Sequence, residues 1–210
     1  MEDFEEQVAV WRDRVSAENE RVTTSLIRRG ERETQTSKPS KTFPTDMFQV
    51  IYADPPWRYQ HSKTESRAIE NQYPTLSIEE ICNLPISTIA GPDSILFLWA
   101  TSPKLEEALQ VLNAWGFTYK TCAVWDKERI GMGYYYRQQH ELILVGTKGN
   151  LPCAEPANRP SSVIRQKRDN LHSRKPLLAI EQIEVMYPDR KKIELFCREP
   201  REGWSTWGNE

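Results

Sequence analysis

The chain contains neither a G-x-G-x-x-G loop nor a D/F-x-G-x-G loop, which removes the ordinary dinucleotide-binding reading from an otherwise α/β-like pattern. It is also poor in cysteine: Cys82, Cys122, Cys153 and Cys197 lie far apart and form no C-x-x-C pair. That spacing predicts reduced thiols rather than a disulfide framework or a zinc site, and no bound metal is expected. No apolar run approaches membrane-spanning length, and the acidic opening MEDFEEQ is unlike a signal peptide, so a cytoplasmic protein without a membrane partner is expected. Nor is positive charge in excess: 28 Lys and Arg stand against 30 Asp and Glu, a net charge of −2. No global basic field announces nucleic acid, so local patches would have to make any such contact. With 210 residues the chain is long enough for one domain whose core needs no staples.

What is present divides near residue 40. Residues 1–40 carry Phe4, Val8, Trp11, Val15, Val22 and Leu26 at helical spacing, opposite a charged face. Such a helix either packs back on the domain or meets a second copy or another protein as a coiled-coil-like contact. Residues 28–42 lack apolar side chains and read as a linker. From 41 to 210, short apolar runs alternate with helical patterns or long loops: FQVIYA from Phe48, SILFLWAT from Ser94, TYKTCAVW from Thr118, ELILVGTKG from Glu141 and KKIELFCRE from Lys191. This alternation predicts an α/β domain with a Rossmann-like, mostly parallel sheet flanked by helices. Ser77 and Glu80 form a capping box for a short helix, and Gly91-Pro92-Asp93 reads as a turn. Ser102 is expected to cap a second helix that ends at Gly116, and Pro176 to open a third that Pro188 stops.

The first of these strands stops at Asp54-Pro55-Pro56-Trp57, where two prolines forbid further helix or ladder hydrogen bonding. In an open α/β sheet the carboxyl end of a strand is where ligands sit, so this carboxylate and indole are aimed at something. The stretch resembles the D-P-P-W signature of the MT-A70 family of N6-adenine methyltransferases. The chemistry gives that resemblance a reason, because the exocyclic N6 of adenine has its lone pair delocalised into the ring and is a poor nucleophile. Asp54 and a carbonyl of the Pro55-Pro56 turn can accept hydrogen bonds from the amino group, drawing the nitrogen towards tetrahedral geometry and stabilising charge that develops there. Proline fixes the carbonyl directions in advance. Trp57 offers a stacking face to a base taken out of its stack.

The resemblance extends over residues 46–210 and implies further roles. Tyr73, in QYPTLS, falls where the family places an aromatic residue lining the target-adenine pocket; a tyrosine covering a helix start is the other reading. Glu141 matches an acidic position near the active site and would orient substrate. In HSRKP, Lys175 matches the lysine that contacts the methionine carboxylate of S-adenosylmethionine. At the last strand Phe196 would pack near the cofactor's adenine, Arg198 would reach its ribose and Glu194 would organise the site. Asp54 counts among the cofactor contacts as well. Asn209 and Glu210 close the chain as the family's G-N-E/Q, offering polar groups to the cofactor. The catalytic strand precedes the cofactor strand, the circularly permuted order typical of the family.

Two loops remain. Residues 126–140 join Tyr134, Tyr135, Tyr136 and Arg137, stacking faces beside a cation, which suits unstacked nucleic acid; a hairpin tucked under the sheet is the alternative. Within it Tyr136 and Arg137 are the candidates for substrate contact. Residues 150–172 read as a long loop whose Arg159, Arg165, Lys167 and Arg168 suit phosphates. The implied function is methyl transfer from S-adenosylmethionine to N6 of adenine in nucleic acid, with DNA favoured over RNA. The alternatives are an RNA enzyme, a methyltransferase acting on a small molecule, or a non-catalytic nucleic-acid-binding subunit of a heteromeric methyltransferase. The N-terminal helix would supply any homodimeric or heteromeric contact.

Overall fold

The computed structural model describes residues 42–59, 75–133, 135–168, 174–197 and 199–208. The N-terminal stripe and the linker up to residue 41 therefore lie outside the described residues, as do Tyr73, Arg198, Asn209 and Glu210.

The strands are β1 (Phe48–Ala53), β2 (Ala90–Ala100), β3 (Thr118–Asp126), β4 (His140–Lys148), β5 (Val163–Arg165), β6 (Lys192–Leu195) and β7 (Ser205–Trp207). They form a seven-stranded sheet in the order β5-β3-β4-β2-β1-β6-β7. β1 pairs in parallel with β2 on one side and β6 on the other, β6 with β7, and β3 with β5. Only β4 runs against its neighbours, β2 and β3, so the mostly parallel sheet expected from the sequence is what forms.

The position of β1 near the middle follows from its composition. Successive side chains of a strand point to opposite faces, and β1 is apolar on both. Ile51 and Ala53 face one layer with Leu96, Leu98, Val111, Leu112 and Trp115. Val50 and Tyr52 face the other with Phe97, Trp99, Ala179, Ile180 and Ile183. The helices α1 (Ile78–Cys82), α2 (Ile86–Ile89) and α3 (Leu105–Ala114) supply the first layer, and α4 (Leu177–Met186) the second. Trp115 is fully buried and its Nε1–H donates to the Ile81 carbonyl at 2.9 Å, tying α3 to α1. No helix among the described residues is long and apolar enough to cross a membrane.

Local signals succeed where the chemistry is short-range. Both halves of the Ser77/Glu80 capping box form: Glu80 N–H donates to Ser77 Oγ at 3.2 Å and Ser77 N–H to Glu80 Oε2 at 2.7 Å. Gly116, at φ +85°, ends α3 in a conformation that favours glycine. Four expectations need correcting. Gly91-Pro92-Asp93 is part of β2, not a turn before it; the register jumps between Phe48 and Val50, and the exposed Pro92 and Asp93 sit in that bulge. Ser102 is no helix cap but opens a 3-10 turn, Ser102–Lys104, and its Oγ lies 3.1 Å from His140 Nε2. The segment 150–172 is not all loop, because β5 pairs with β3 there and Ile164 is buried. The tail also supplies β7, anchored by Trp204, whose Nε1–H donates to Glu184 Oε1 at 2.9 Å.

Candidate active site

β1 delivers Asp54 to the carboxyl-terminal edge of the sheet, beside the ends of β2 and β6. The turn that follows is held at every step. Trp57 N–H donates to the Pro55 carbonyl and Leu76 N–H to the Pro56 carbonyl, both at 2.9 Å. Each carbonyl has a second lone pair, so both remain competent acceptors. The stacking role expected of Trp57 does not fit its surroundings. The indole is only 6% exposed, lies within the first core layer, and donates its Nε1–H to the Trp99 carbonyl at 3.2 Å. Its apolar bulk and its one donor are both satisfied inside, which makes it the anchor of the turn rather than a surface for a base.

Four alternating charges converge on this edge. Lys175 Nζ lies 2.9 Å from Asp54 Oδ2 and 3.2 Å from Glu141 Oε2, and Lys127 Nζ lies 3.4 Å from Glu141 Oε1. The side chains come from the end of β1, the start of β4, the residue after β3, and the extended segment leading into α4. Pro176 places Lys175 there: it is the N-cap of α4 with ψ 133°, and proline biases the residue before it towards extended backbone. Lys175 Nζ also stands 5.3 Å from the centroid of the Trp99 ring, a cation–π contact.

Burial works against the Lys175 ammonium, but the adjacent carboxylates of Asp54 and Glu141 outweigh it and hold the pKa well above the usual lysine value. Burial likewise opposes the Glu141 carboxylate, yet Lys175 and Lys127 together hold its pKa below the ordinary glutamate value. Glu194 is shifted the other way. Its carboxyl is raised by burial, with only partial relief from Arg201, whose Nε lies 3.6 Å from Glu194 Oε2. Among the described residues neither of those two atoms has a hydrogen-bond partner, and neither does the buried hydroxyl of Tyr52, which β-pairing sets directly beside Glu194. A polar cluster with unmet hydrogen-bonding capacity thus lies next to Asp54 on the sheet.

The sequence-derived candidates distribute as follows. Asp54, Glu141 and Lys175 are brought together, and Glu194 is one strand away. Phe196 follows β6 with φ +59°, a strained conformation for an aromatic residue, and packs edge-to-face on Trp207 at 5.5 Å. It is 8% exposed and belongs to the core, so the face expected for a cofactor base is largely taken by protein. Tyr136 is 84% exposed at the tip of the β3–β4 hairpin, and Arg137 Nε donates to the Gly131 carbonyl at 3.1 Å. The hairpin is therefore not tucked under the sheet. Ile130, Met132 and Tyr135 are also exposed there. Gly133 is obligatory at this tip, since a Cβ would lie 1.9 Å from the Tyr136 carbonyl oxygen.

Two members of the site were missed. Arg201 lies in a segment with no strand or helix pattern. Lys127 could have been found once the hairpin register was known: Trp125 pairs with Glu141, and Lys127 is two residues further on the same face, its diagonal neighbour.

The family model MT-A70 matches residues 48–210. The chain is 38% identical over 186 residues to the type II methyltransferase M.MunI of Mycoplasma sp, covering 80% of this chain and 79% of that protein. It is 31% identical over 173 residues to the N(6)-adenosine-methyltransferase catalytic subunit METTL3 of Homo sapiens, where 78% of this chain covers 28% of the larger protein. The N6-methyladenosine RNA methyltransferase MTA1 of Cryphonectria parasitica is 27% identical over 176 residues, 78% of this chain and 52% of the relative.

Proposed function

The chain belongs to the MT-A70 family, and from that premise we infer that it transfers a methyl group from S-adenosylmethionine to N6 of adenine in DNA. The observation that carries this reading is the placement of Asp54, at the end of the interior strand β1, 2.9 Å from the Lys175 ammonium. The choice of DNA rests on the type II methyltransferase M.MunI, a relative matched over 79% of its own length. RNA is the second reading, supported by the similarity to METTL3 and MTA1, of which this chain spans 28% and 52%.

The residues present fit the implied cofactor by the chemistry of their donor set. An amino-acid-bearing nucleoside needs acceptors for its ammonium, a cation for its carboxylate and polar groups for its ribose. Asp54, Lys175 and Glu194 offer those types side by side, and Glu194 Oε2 and Arg201 Nε, which face each other at 3.6 Å without a hydrogen bond among the described residues, leave capacity for more bonds. When bound, S-adenosylmethionine supplies a methyl group already activated by its sulfonium. The protein's part is orientation and charge stabilisation. Asp54 accepts a hydrogen bond from the exocyclic amino group and balances the positive charge forming on nitrogen. The Pro55 and Pro56 carbonyls, fixed by Trp57 and Leu76 N–H groups, offer a second acceptor without reorganisation. Lys175 holds Asp54 aimed. Glu141 holds Lys175 from the other side.

A base in a duplex must leave the stack to reach this edge. The exposed Tyr136 with Arg137 would contact the strand beside it, and Tyr73, Arg198, Asn209 and Glu210 would complete the adenine and cofactor pockets. The N-terminal stripe would join a second copy or a partner subunit; deleting residues 1–40 should lower the sedimenting mass from an assembly to a monomer, and an unchanged species would dispose of that role. The function itself is tested by incubating the protein with labelled S-adenosylmethionine and a panel of DNA and RNA oligonucleotides, followed by nucleoside mass analysis. N6-methyladenine from DNA supports the reading, label only in RNA transfers it to the second, and no labelled nucleoside defeats both.

A further inference from the structure

We propose that Lys127 is a positioning residue of this active site: by holding one oxygen of Glu141 it reserves the other for Lys175 and so fixes the Lys175 ammonium against Asp54. The inference rests on the methyltransferase reading above.

The backbone of Lys127 is clamped on both sides, its N–H donating to the Gln139 carbonyl at 2.9 Å and its carbonyl accepting from Arg168 N–H at 3.1 Å. The cation therefore starts from a fixed point between the extension of β4 and the segment after β5. Its side chain is 12% exposed, which is unusual for lysine unless an acid pairs with it. The pairing is divided by atom. Glu141 Oε1 faces Lys127 at 3.4 Å, while Glu141 Oε2 faces Lys175 at 3.2 Å. Lys175 in turn shares its ammonium between Glu141 and Asp54, with the Asp54 contact shorter at 2.9 Å. That balance depends on Glu141 being half satisfied from elsewhere. Without Lys127, both oxygens of a largely buried carboxylate turn to one ammonium, and the ammonium is drawn from Asp54 towards Glu141. Asp54 then loses the contact that aims it, although no group touching the adenine or the methyl donor has been changed. Small displacements of a catalytic group are expensive, because the productive geometry is narrow.

The test measures Lys127→Met, Lys127→Arg, Glu141→Gln and the Lys127→Met/Glu141→Gln double variant in the full chain. Turnover is followed on an adenine-containing oligonucleotide that the wild-type protein methylates, and binding of S-adenosylhomocysteine by calorimetry. For Lys127→Met the expected result is a fall in kcat of roughly tenfold, with KM for the oligonucleotide and analogue affinity each held within about twofold. Lys127→Arg should recover most of the rate, since the cation returns. In the Glu141→Gln background the Lys127→Met change should cost less than about twofold, because residues acting through one another are not additive. Wild-type kcat for Lys127→Met overturns the proposal, as does a full tenfold further loss in the double variant. If Lys127→Met does not fold, as judged by thermal melting, Lys127→Gln takes its place beside Lys127→Arg: equal rates for these two would overturn it. Absence of methylation by the wild-type protein is a different outcome and would count against the methyltransferase reading instead.

Discussion

Replacing Lys175 by methionine keeps an unbranched stem, one atom shorter, and removes the charge on which two carboxylates depend. Its ammonium lies 2.9 Å from Asp54 and 3.2 Å from Glu141, and the three side chains are 15%, 26% and 17% exposed. Breaking a buried ion pair from one side costs about 3–5 kcal/mol, because the remaining charge is stranded. Two features reduce that figure here: Asp54 keeps some water, and Glu141 keeps Lys127. A net loss of about 2–3 kcal/mol at neutral pH is the expectation. For a domain of this size each kcal/mol moves the melting temperature by about 2–4 °C, so Lys175→Met should melt about 4–12 °C lower. The pH dependence follows from the two shifts. The pKa of Glu141 is depressed in the folded protein, so its stabilisation is present above the unfolded glutamate pKa and lost as pH falls through the lower folded value. The pKa of Lys175 is raised, so its stabilisation is present below the unfolded lysine pKa and lost only as pH climbs through the higher folded value. The gap between wild type and variant should therefore be widest from about pH 5 to about pH 10 and narrow below about pH 4, as Glu141 protonates in the folded protein. Thermal melts by circular dichroism at pH 7.5 and at about pH 3 read this directly. Equal melting temperatures at pH 7.5, or a gap that does not shrink in acid, would refute the charge-row account.

Other expectations concern packing and reactivity. Trp57→Phe keeps an aromatic ring in the core but loses the bond to the Trp99 carbonyl, and should cost about 1–3 kcal/mol by urea titration, because a buried acceptor loses its donor. Gly133→Ala puts a methyl group 1.9 Å from the Tyr136 carbonyl oxygen and must rebuild the hairpin tip, so nucleic-acid affinity should fall while the melting temperature changes little; unchanged affinity would remove the tip from the substrate surface. Cys197 is buried, its thiol is pushed up to about 12 chiefly by burial and then by Glu194, and its Sγ donates to the Glu199 carbonyl. Iodoacetamide at pH 8 should label the exposed Cys153 in the native protein and reach Cys197 only after unfolding, as peptide mass mapping would show.

The parts of this protein that a sequence exposes are those set by short-range rules. FQVIYA announces a strand buried on both faces, the prolines at 55 and 56 announce its end, and Ser77 with Glu80 announces a helix start; each forms as expected. Where long-range pairing decides, the sequence is silent. Nothing in Gly91-Pro92-Asp93 shows that β2 absorbs the turn as a bulge, since that depends on the register against Phe48. Ser102 has the right chemistry for a cap, but β4 brings His140 within 3.1 Å of its hydroxyl. The site divides in the same way. The strand end and its prolines point to Asp54, and the family resemblance adds Lys175 and Glu141, yet only the fold shows that they share one ammonium. Trp57 looked like a surface for a base because an indole after a strand end can serve either purpose; burial and one hydrogen bond to the Trp99 carbonyl decide it.

The central claim is that the Asp54 carboxylate grips the amino group of adenine while a methyl group reaches that nitrogen. Asp54→Asn tests it with almost no change of shape, using single-turnover methylation of an oligonucleotide with one adenine and mass analysis of the nucleosides. The wild-type protein should give N6-methyladenine alone, and Asp54→Asn should be at least about a hundredfold slower, the scale of removing one charge-stabilising contact, while affinity for S-adenosylhomocysteine falls by much less. Equal rates for the two proteins, or a methyl group on any atom other than N6, would contradict the account.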